Sequence, residues 1–387
     1  MFVSTYFLQP EDPMFGEVNK LFIQEYIKVY GSNHIYNIDL FNEETPSHSD
    51  PQYLARCGKG VYDSIVQADP NGIWLMQGWL FVNEPTFWKT AQVKGLVTAV
   101  PLGKLIILDL FSEITPAYSK FEGYYGQPFI WCMLHNFGGT SGMYGALNRI
   151  NGELYSARKR YVNMVGIGLT PEGIEQNPVA YEYMMDTVWF DEEPDMADWF
   201  TNYAIRRYDQ YDANLDAAWQ LLRQSVYTDP IGLHNHGLYA INRRPRLVYH
   251  SVLWYEPKNV TTAFRLMAHY LNTHQNVVNS QSETFIYDMV DVARQTLQLL
   301  FDHYRESEMY PQFVKNETEK FKTTIIKMEA ILDLFESILQ CSKHFLLHNW
   351  IEAARTLASV DDIKEQDYNE WQARNQVTLW GPKANVS

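Results

Sequence analysis

The sequence predicts a (β/α)8-type barrel, incomplete at its N-terminus with about six β/α units, followed by an all-α domain. Two observations predict it. Short apolar runs alternate with amphipathic helical patterns through the first half, and from about Asp195 strand-like runs become rare while long helical patterns dominate. Repeated β-α alternation buries each strand between crossover helices and so calls for a parallel sheet. The expected domains are residues 1–193 and 194–387, divided at Glu193-Pro194.

Taken in order, residues 3–8 read as a strand that meets Pro10 at once. A helix over 14–30 follows, closed by Gly31 past its C-terminus. Strands are expected over 35–41, 73–79, 104–110 and 129–134, with helices over 51–67, 86–99 and 144–158, and a longer loop up to Pro128. The apolar run 162–169 reads as a strand buried on both faces. Thr170-Pro171 ends it, because proline cannot donate to a ladder. Asn177-Pro178 reads as an N-cap with proline at the first helical position, opening a helix to residue 188.

A closed barrel needs eight strands, so either about two lie upstream of Met1 or the sheet is open and doubly wound. Gly166-x-Gly168 follows a strand, but Pro171 occupies the place of the third glycine of a phosphate loop. The helical half is expected over 197–208, 213–227, 261–272, 284–304, 315–341, 345–358 and 362–375, interrupted by a loop with Asn242-Arg-Arg-Pro245.

Composition bounds the function. A net charge of −15 argues against nucleic acid as a partner, since neutralising phosphates requires a basic surface. The 15% aromatic content supplies a large core and is also the palette of sugar-stacking sites. Cys57, Cys132 and Cys341 make no disulfide framework, and no apolar run is long enough to span a bilayer. Met1 does not read as a natural start: residues 1–8 have neither the basic start nor the long apolar stretch of a signal peptide, which read literally gives a soluble cytoplasmic protein, and a chain that has lost its N-terminus would look the same. Asp209, Asp212 and Asp216 lack the central glycine and closing glutamate of a calcium loop and are expected to open a helix. His234-Asn-His236 has no third metal ligand and reads as a polar loop. No metal or cofactor is called for, and the oligomeric state is left open, self-association included.

The chemistry-bearing pattern is a pair of carboxylates. Glu172 stands just past the run 162–169, with Gly173 giving its backbone freedom. Alone it would be an ordinary loop residue, but Glu43, in Asn42-Glu43-Glu44, holds the same place after the strand 35–41. Catalytic groups of (β/α) enzymes lie at strand C-termini. Two carboxylates facing one pocket are what glycoside hydrolysis uses, one protonated for the leaving oxygen and one ionised as nucleophile or base. Gln77-Gly-Trp79 and Trp131-Cys-Met-Leu-His135-Asn136-Phe-Gly-Gly139 end other strands with aromatic and polar groups. Taken singly, Trp131 and Cys132 read as core residues; their clustering at strand ends is what points to a site.

The run Gly126-Gln-Pro-Phe-Ile-Trp-Cys-Met-Leu-His-Asn-Phe-Gly-Gly139 resembles lysosomal α-N-acetylglucosaminidases of glycoside hydrolase family 89. So do Pro171-Glu-Gly173, Trp74-Leu-Met-Gln-Gly-Trp-Leu-Phe81 and Leu379-Trp-Gly-Pro382, and the resemblance covers essentially the whole chain. It implies a small N-terminal domain, a (β/α)8 barrel and an all-α domain, and a retaining exo-glycosidase that removes terminal α-linked N-acetylglucosamine from heparan sulfate. By resemblance Glu43 is the acid/base and Glu172 the nucleophile, while Asn42, Trp79, Trp131, Cys132, His135 and Trp380 fall at or near the sugar pocket. Glu175 is then a bystander. The retaining route sets the two carboxyls about 5–5.5 Å apart.

The family's N-terminal domain and first barrel strands would lie before Met1, and the family continues past the segment that ends here at Ser387. The competing reading is therefore a non-catalytic truncated fragment of such an enzyme, sugar-binding at most. A lysosomal setting suits the charge: protonating all 11 histidines moves the formal charge from −15 to −4. Asn259-Val-Thr261 and Asn316-Glu-Thr318 are glycosylation sequons that suit a secretory route, and Asn385-Val-Ser387 matches at the chain's end.

Overall fold

A computed structural model describes residues 8–135, 142–172, 177–232, 239–242, 253–274 and 283–378. The chain divides into two compact units, residues 1–135 with 152–170 and residues 136–151 with 171–387.

The first unit holds a parallel sheet of β1 (Ile35–Asn37), β2 (Ile73–Gln77), β3 (Leu105–Asp109), β4 (Phe129–Met133) and β5 (Met164–Leu169), in that spatial order. Each strand pairs with the next in sequence, which is the wall of a (β/α) barrel and not the reversing order of a doubly wound sheet. The crossovers are α2 (Pro51–Ala68), α3 (Trp79–Asn83) with α4 (Thr90–Thr98), α5 (Ala117–Lys120) and α6 (Leu147–Arg160), and α1 (Pro13–Tyr30) precedes β1. The division between the units falls within α6. Residues 3–7 of the first expected strand lie outside the described residues, and Leu8 is exposed and not in a strand.

Local chemistry explains the helix limits. Asp12 and Asp50 cap α1 and α2 by accepting from Met14 N and Gln52 N, each followed by proline where no N–H is needed. Gly31 ends α1 at φ 78°, open to glycine at no steric cost.

Alternate strand residues build the core. Trp74 and Met76, Leu105 and Ile107, and Phe129 and Trp131 are fully buried, as are Leu54, Cys57, Val61 and Ile65 of α2 and Val93, Leu96 and Val97 of α4. The opposite strand face (Ile73, Leu75, Gln77, Ile106, Leu108, Ile130) is only half-buried. The run 162–169 departs from expectation: β5 is not buried on both faces, Val165 is 57% exposed, and Val162 lies outside the strand. Among the described residues β5 is the last strand, so one edge lacks a partner and its apolar side chains lack cover.

The second unit is helical. It contains α7 (Pro178–Asp186), α8 (Met196–Tyr208), α9 (Ala213–Arg223), α10 (Pro257–Thr273) and α11 (Glu283–His303). α11 runs on through a π-helical turn, Tyr304–Met309, into α12 (Tyr310–Val314), and α13 (Thr318–Leu339), α14 (Leu347–Arg355) and α15 (Ile363–Thr378) follow. Asp195 caps α8 and Asp212 caps α9; Asp209 closes α8 at φ 60°, and Asp216 accepts from Thr201 Oγ1 at 2.7 Å. Asp212 and Asp216 thus stand at a helix start, as expected, whereas Asp209 closes the preceding helix instead, its left-handed backbone ending α8. Trp199, Phe200, Tyr203, Trp219 and Tyr227 pack into one aromatic core. Within it the buried Asp288 of α11 pairs with Arg207 (2.7 Å to Nη2) and accepts from Tyr208 Oη at 2.8 Å. His234 and His236 lie outside the described residues.

The α2–α4 contact depends on Gly58, where an added Cβ would stand 2.5 Å from the Leu96 carbonyl oxygen. Gly58→Ala should therefore destabilise by about 1–3 kcal/mol, overriding its gain in helix propensity of up to about 1 kcal/mol. Gly16→Ala in α1, with nothing within 4 Å of the new Cβ, should keep that gain. Thermal unfolding of both variants checks this; a Gly58→Ala protein as stable as Gly16→Ala would contradict the packing.

Candidate active site

In a parallel sheet every strand delivers its chain to the same edge, and the expected site residues follow strand C-termini in this unit. β1 stops at Asn37, earlier than expected, because the chain turns its next apolar side chains into the core: Leu40 and Phe41 are buried, with Phe41 at φ 58°. Asn42 and Glu43 follow this turn. Glu43 is exposed, and its Oε1 accepts from Trp79 Nε1 at 3.1 Å. Trp79 does not end β2 as expected; it opens α3. Gly78 makes that turn possible, since a Cβ there would lie 2.8 Å from the Leu108 carbonyl oxygen. The Asn42 Oδ1 atom is buried and lacks a hydrogen-bond donor among the described residues. Beside them Gln77 gives two hydrogen bonds to Asp39, from N at 3.3 Å and Nε2 at 2.8 Å, and burial raises the Asp39 carboxyl above the usual range.

Asp109 and Glu113, at the end of β3, are both buried, and neither was singled out from the sequence. Asp109 staples the following loop: it accepts from Ser112 Oγ at 3.0 Å, Tyr118 N at 2.5 Å, Ala117 N at 3.4 Å and Tyr124 Oη at 2.8 Å. Glu113 accepts from His135 N at 2.7 Å and Leu134 N at 3.3 Å. Burial pushes its carboxyl up to about 8, although those backbone donors favour the charged form; the neighbouring Asp109 adds to the rise. A signal existed, because Asp109-Leu-Phe-Ser-Glu113 places carboxylates after a strand just as Asn42-Glu43 does.

β4 carries two expected site residues, Trp131 and Cys132, and a third, His135, follows it; all are buried. Trp131 is fully buried on the strand face it shares with Phe129, beside the loop held by Asp109. Cys132 faces the other way onto β5, where a Cβ at Gly168 would meet its Sγ at 2.9 Å, and burial pushes its thiol far up. His135 is 2% exposed at φ 70°, and burial lowers its ring to about 3, so it is neutral. Thr170 ends β5, donating from N to Met133 O at 3.0 Å and from Oγ1 to Leu110 O at 2.9 Å.

In the second unit, Glu172 is exposed and Asn177 is buried at the start of α7. Asn177 holds the N-cap position but makes no side-chain cap, a departure from expectation. Trp380 lies outside the described residues with the whole of Leu379–Pro382, as do residues 136–139 of the segment Trp131–Gly139. Among the described residues there is no group of three His, Cys, Asp or Glu that could hold a metal, and no helix is long and apolar enough to cross a membrane.

The raised Glu113 carboxyl has a consequence for stability. Its folded pKa lies above the unfolded value, so its contribution is present below about 4.5 and lost as pH rises through about 8. Glu113→Gln, a neutral mimic, should match the wild type near pH 5 and exceed it at pH 8 by a few degrees in Tm, on the order of 1–2 kcal/mol. Asp69, lowered to about 2, has the opposite sign but acts below this window. Calorimetry across pH 5–8 showing parallel curves would contradict the burial argument.

Two family models match in succession: the α-N-acetylglucosaminidase (NAGLU) TIM-barrel domain over residues 1–191 and the NAGLU C-terminal domain over 199–387. Human α-N-acetylglucosaminidase is 40% identical over 386 residues, 99% of this chain and 51% of that protein, so the chain spans about half the length of this curated relative. A family 89 glycoside hydrolase from Clostridium perfringens, solved with PUGNAc, superposes with a TM-score of 0.84 at 28% identity, covering 98% of this chain and 42% of that one. The same bacterial protein with two glutamates changed to glutamine, solved with its substrate GlcNAc-α-1,4-galactose, gives a TM-score of 0.85 at the same identity and coverage. Matched from end to end by both domains of one family, the chain belongs to the α-N-acetylglucosaminidases, glycoside hydrolase family 89.

Proposed function

We propose that this chain is part of a retaining exo-glycosidase that removes terminal, non-reducing α-linked N-acetylglucosamine from heparan sulfate-type glycans. The observation that carries the reading is the Asn42-Glu43 pair after β1, with Trp79 donating to Glu43 Oε1 at 3.1 Å, in a chain of this family. Family membership supports an α-N-acetylglucosaminide as substrate; heparan sulfate and the lysosome rest on the family resemblance.

In this mechanism Glu172 attacks the anomeric carbon while Glu43 gives its proton to the leaving glycosidic oxygen, forming a covalent glycosyl-enzyme. Glu43 then takes a proton from water, which attacks the same carbon and releases the sugar with retained configuration. The two carboxyls would stand about 5–5.5 Å apart. The Trp79 bond engages one carboxyl oxygen of Glu43 and leaves the other for proton transfer. The buried Asn42 Oδ1 is an acceptor for a sugar hydroxyl. Trp131, Cys132 and His135, being buried, would back the pocket wall, with His135 neutral; Trp380 would complete the pocket.

On this reading residues 1–193 form the catalytic part and 194–387 the helical domain. N-glycans would sit at Asn316, exposed in a turn at φ 54°, and at Asn259 in the first turn of α10. The alternative, a non-catalytic truncated fragment of such an enzyme that binds sugar at most, is separated by assaying an aryl α-N-acetylglucosaminide: hydrolysis by this chain supports the enzyme, and hydrolysis by the protein extended upstream but not by this chain supports the alternative.

Two further outcomes are expected in the extended protein. Glu172→Gln should abolish turnover even of substrates with good leaving groups, because no covalent intermediate forms, whereas Glu43→Gln should retain much of it on those substrates and little on unactivated glycans. Equal losses on both substrate classes would contradict the roles. Proton NMR of the first turnovers should show the α-anomer of N-acetylglucosamine, and first-formed β-anomer would indicate inversion.

A further inference from the structure

Asn177 stands five residues after Glu172 and immediately before the proline that opens α7. Asparagine at that position ordinarily caps the helix with its side chain. Here it makes no cap, its backbone is left-handed at φ 50°, ψ 52°, and it is 1% exposed. Its carboxamide turns instead to the segment 142–146: Oδ1 accepts from Tyr144 N at 3.0 Å, and Nδ2 donates to Gly142 O at 3.5 Å.

That segment is itself firmly held. Met143 N donates to Gln295 Oε1 of α11 at 2.9 Å, and the Gln295 amide donates in turn to the hydroxyls of Tyr239 and Tyr255. Tyr144 Oη donates to Asp229 Oδ2 at 3.0 Å, while Asp229 Oδ1 accepts from Ile231 N and Gly232 N. Gly145 N donates to Val226 O at 3.0 Å. The bracket is thus fixed from α11 and from the turn after α9, and Asn177 anchors the start of α7 to it.

We propose that Asn177 is a positioning residue for the candidate nucleophile. By hydrogen-bonding the 142–144 backbone it fixes the C-terminal end of the short segment that carries Glu172, whose N-terminal end follows the hydrogen-bonded Thr170. The inference rests on the reading of Glu172 as nucleophile. Two physical points favour a role beyond local geometry. A glycine would satisfy φ 50° without strain, so the backbone alone does not call for asparagine. A carboxamide buried this deeply is costly unless both of its ends are paired, and both pair with this one segment. A carboxylate must attack within a narrow range of distance and angle, so a slack anchor a few residues away lowers the rate of attack while leaving sugar binding intact.

The test uses the protein extended upstream. Asn177→Gly keeps the left-handed backbone and removes both hydrogen bonds; Asn177→Asp keeps the acceptor for Tyr144 N. Thermal unfolding, KM and kcat are measured on an aryl α-N-acetylglucosaminide, with Glu172→Gln in parallel. Asn177→Gly is expected to unfold within a few degrees of wild type, keep KM within about threefold and lose roughly 10–100-fold in kcat, with Asn177→Asp recovering most of that loss. Wild-type kcat in Asn177→Gly overturns the proposal. So does a loss in both variants that only tracks lost folded protein, which would make Asn177 structural. Turnover by Glu172→Gln would instead overturn the nucleophile assignment, whatever the Asn177 variants do.

Discussion

The rest of this chain depends on parallel pairing. A parallel strand cannot hairpin into its neighbour; it must leave the sheet, cross by a helix and return, so each of the five strands releases its chain at the same edge. Glu43, Trp79, Glu113, His135 and Thr170 are brought to that edge by topology before any side chain makes a contact. What individual residues decide is how each chain leaves. Phe41 at φ 58° turns β1 inward after three residues, Gly78 lets β2 pass directly into α3, and the Asp109 carboxylate gathers four donors to close the loop after β3.

Much of this was legible in the sequence, because it is written in local chemistry. The alternation of apolar runs and amphipathic helices, the Asp-Pro starts of α1 and α2, and Gly31 after α1 all stand near where the pattern puts them. The strand order was left between two topologies, and pairing in sequence order resolves it. Two departures share one cause, which is that the deciding partner is distant along the chain. Hydropathy gives 162–169 as apolar but cannot say whether anything covers β5, and Val165 is left exposed. Asn177 has the residue type of a cap, yet its carboxamide finds a better-defined partner in Tyr144 N, 33 residues away. Glu113 differs: in the sequence it follows a strand just as Glu43 and Glu172 do, and only its burial in the fold sets it apart from an ordinary loop carboxylate.

The candidate site shows the same division. Its residue types and their placement after strands were readable, and the Trp79–Glu43 bond joins two of them directly. Exposure was not readable. Trp131 and Cys132 come from adjacent positions of one strand and point to opposite faces, so a motif that reads as one cluster supplies two different walls. An aromatic side chain without an exposed face cannot stack on a sugar, which leaves the sugar-facing part of the proposal to Trp79 and Asn42.

Buried carboxyls give the last step. In the first unit, burial raises Asp69 but is outweighed by hydrogen bonds from Tyr36, His34, Asn71 and Ser32, and the group falls to about 2. Glu113, still less exposed, has backbone donors that do not offset burial, and it rises to about 8. The difference lies in the donors: Asp69 collects hydroxyl and imidazole groups that reach its Oδ2 at 2.6–3.2 Å, while Glu113 is held by peptide N–H groups in a deeper site. Asp69 contributes fully above its unfolded value of 3.8 and Glu113 below its unfolded value of 4.5, so both contributions are present together only near pH 4, and above that the neutral Glu113 is held at a cost that grows until pH passes about 8. A unit built on that pair is therefore at its most stable in acidic surroundings and loses stability towards neutral pH through Glu113.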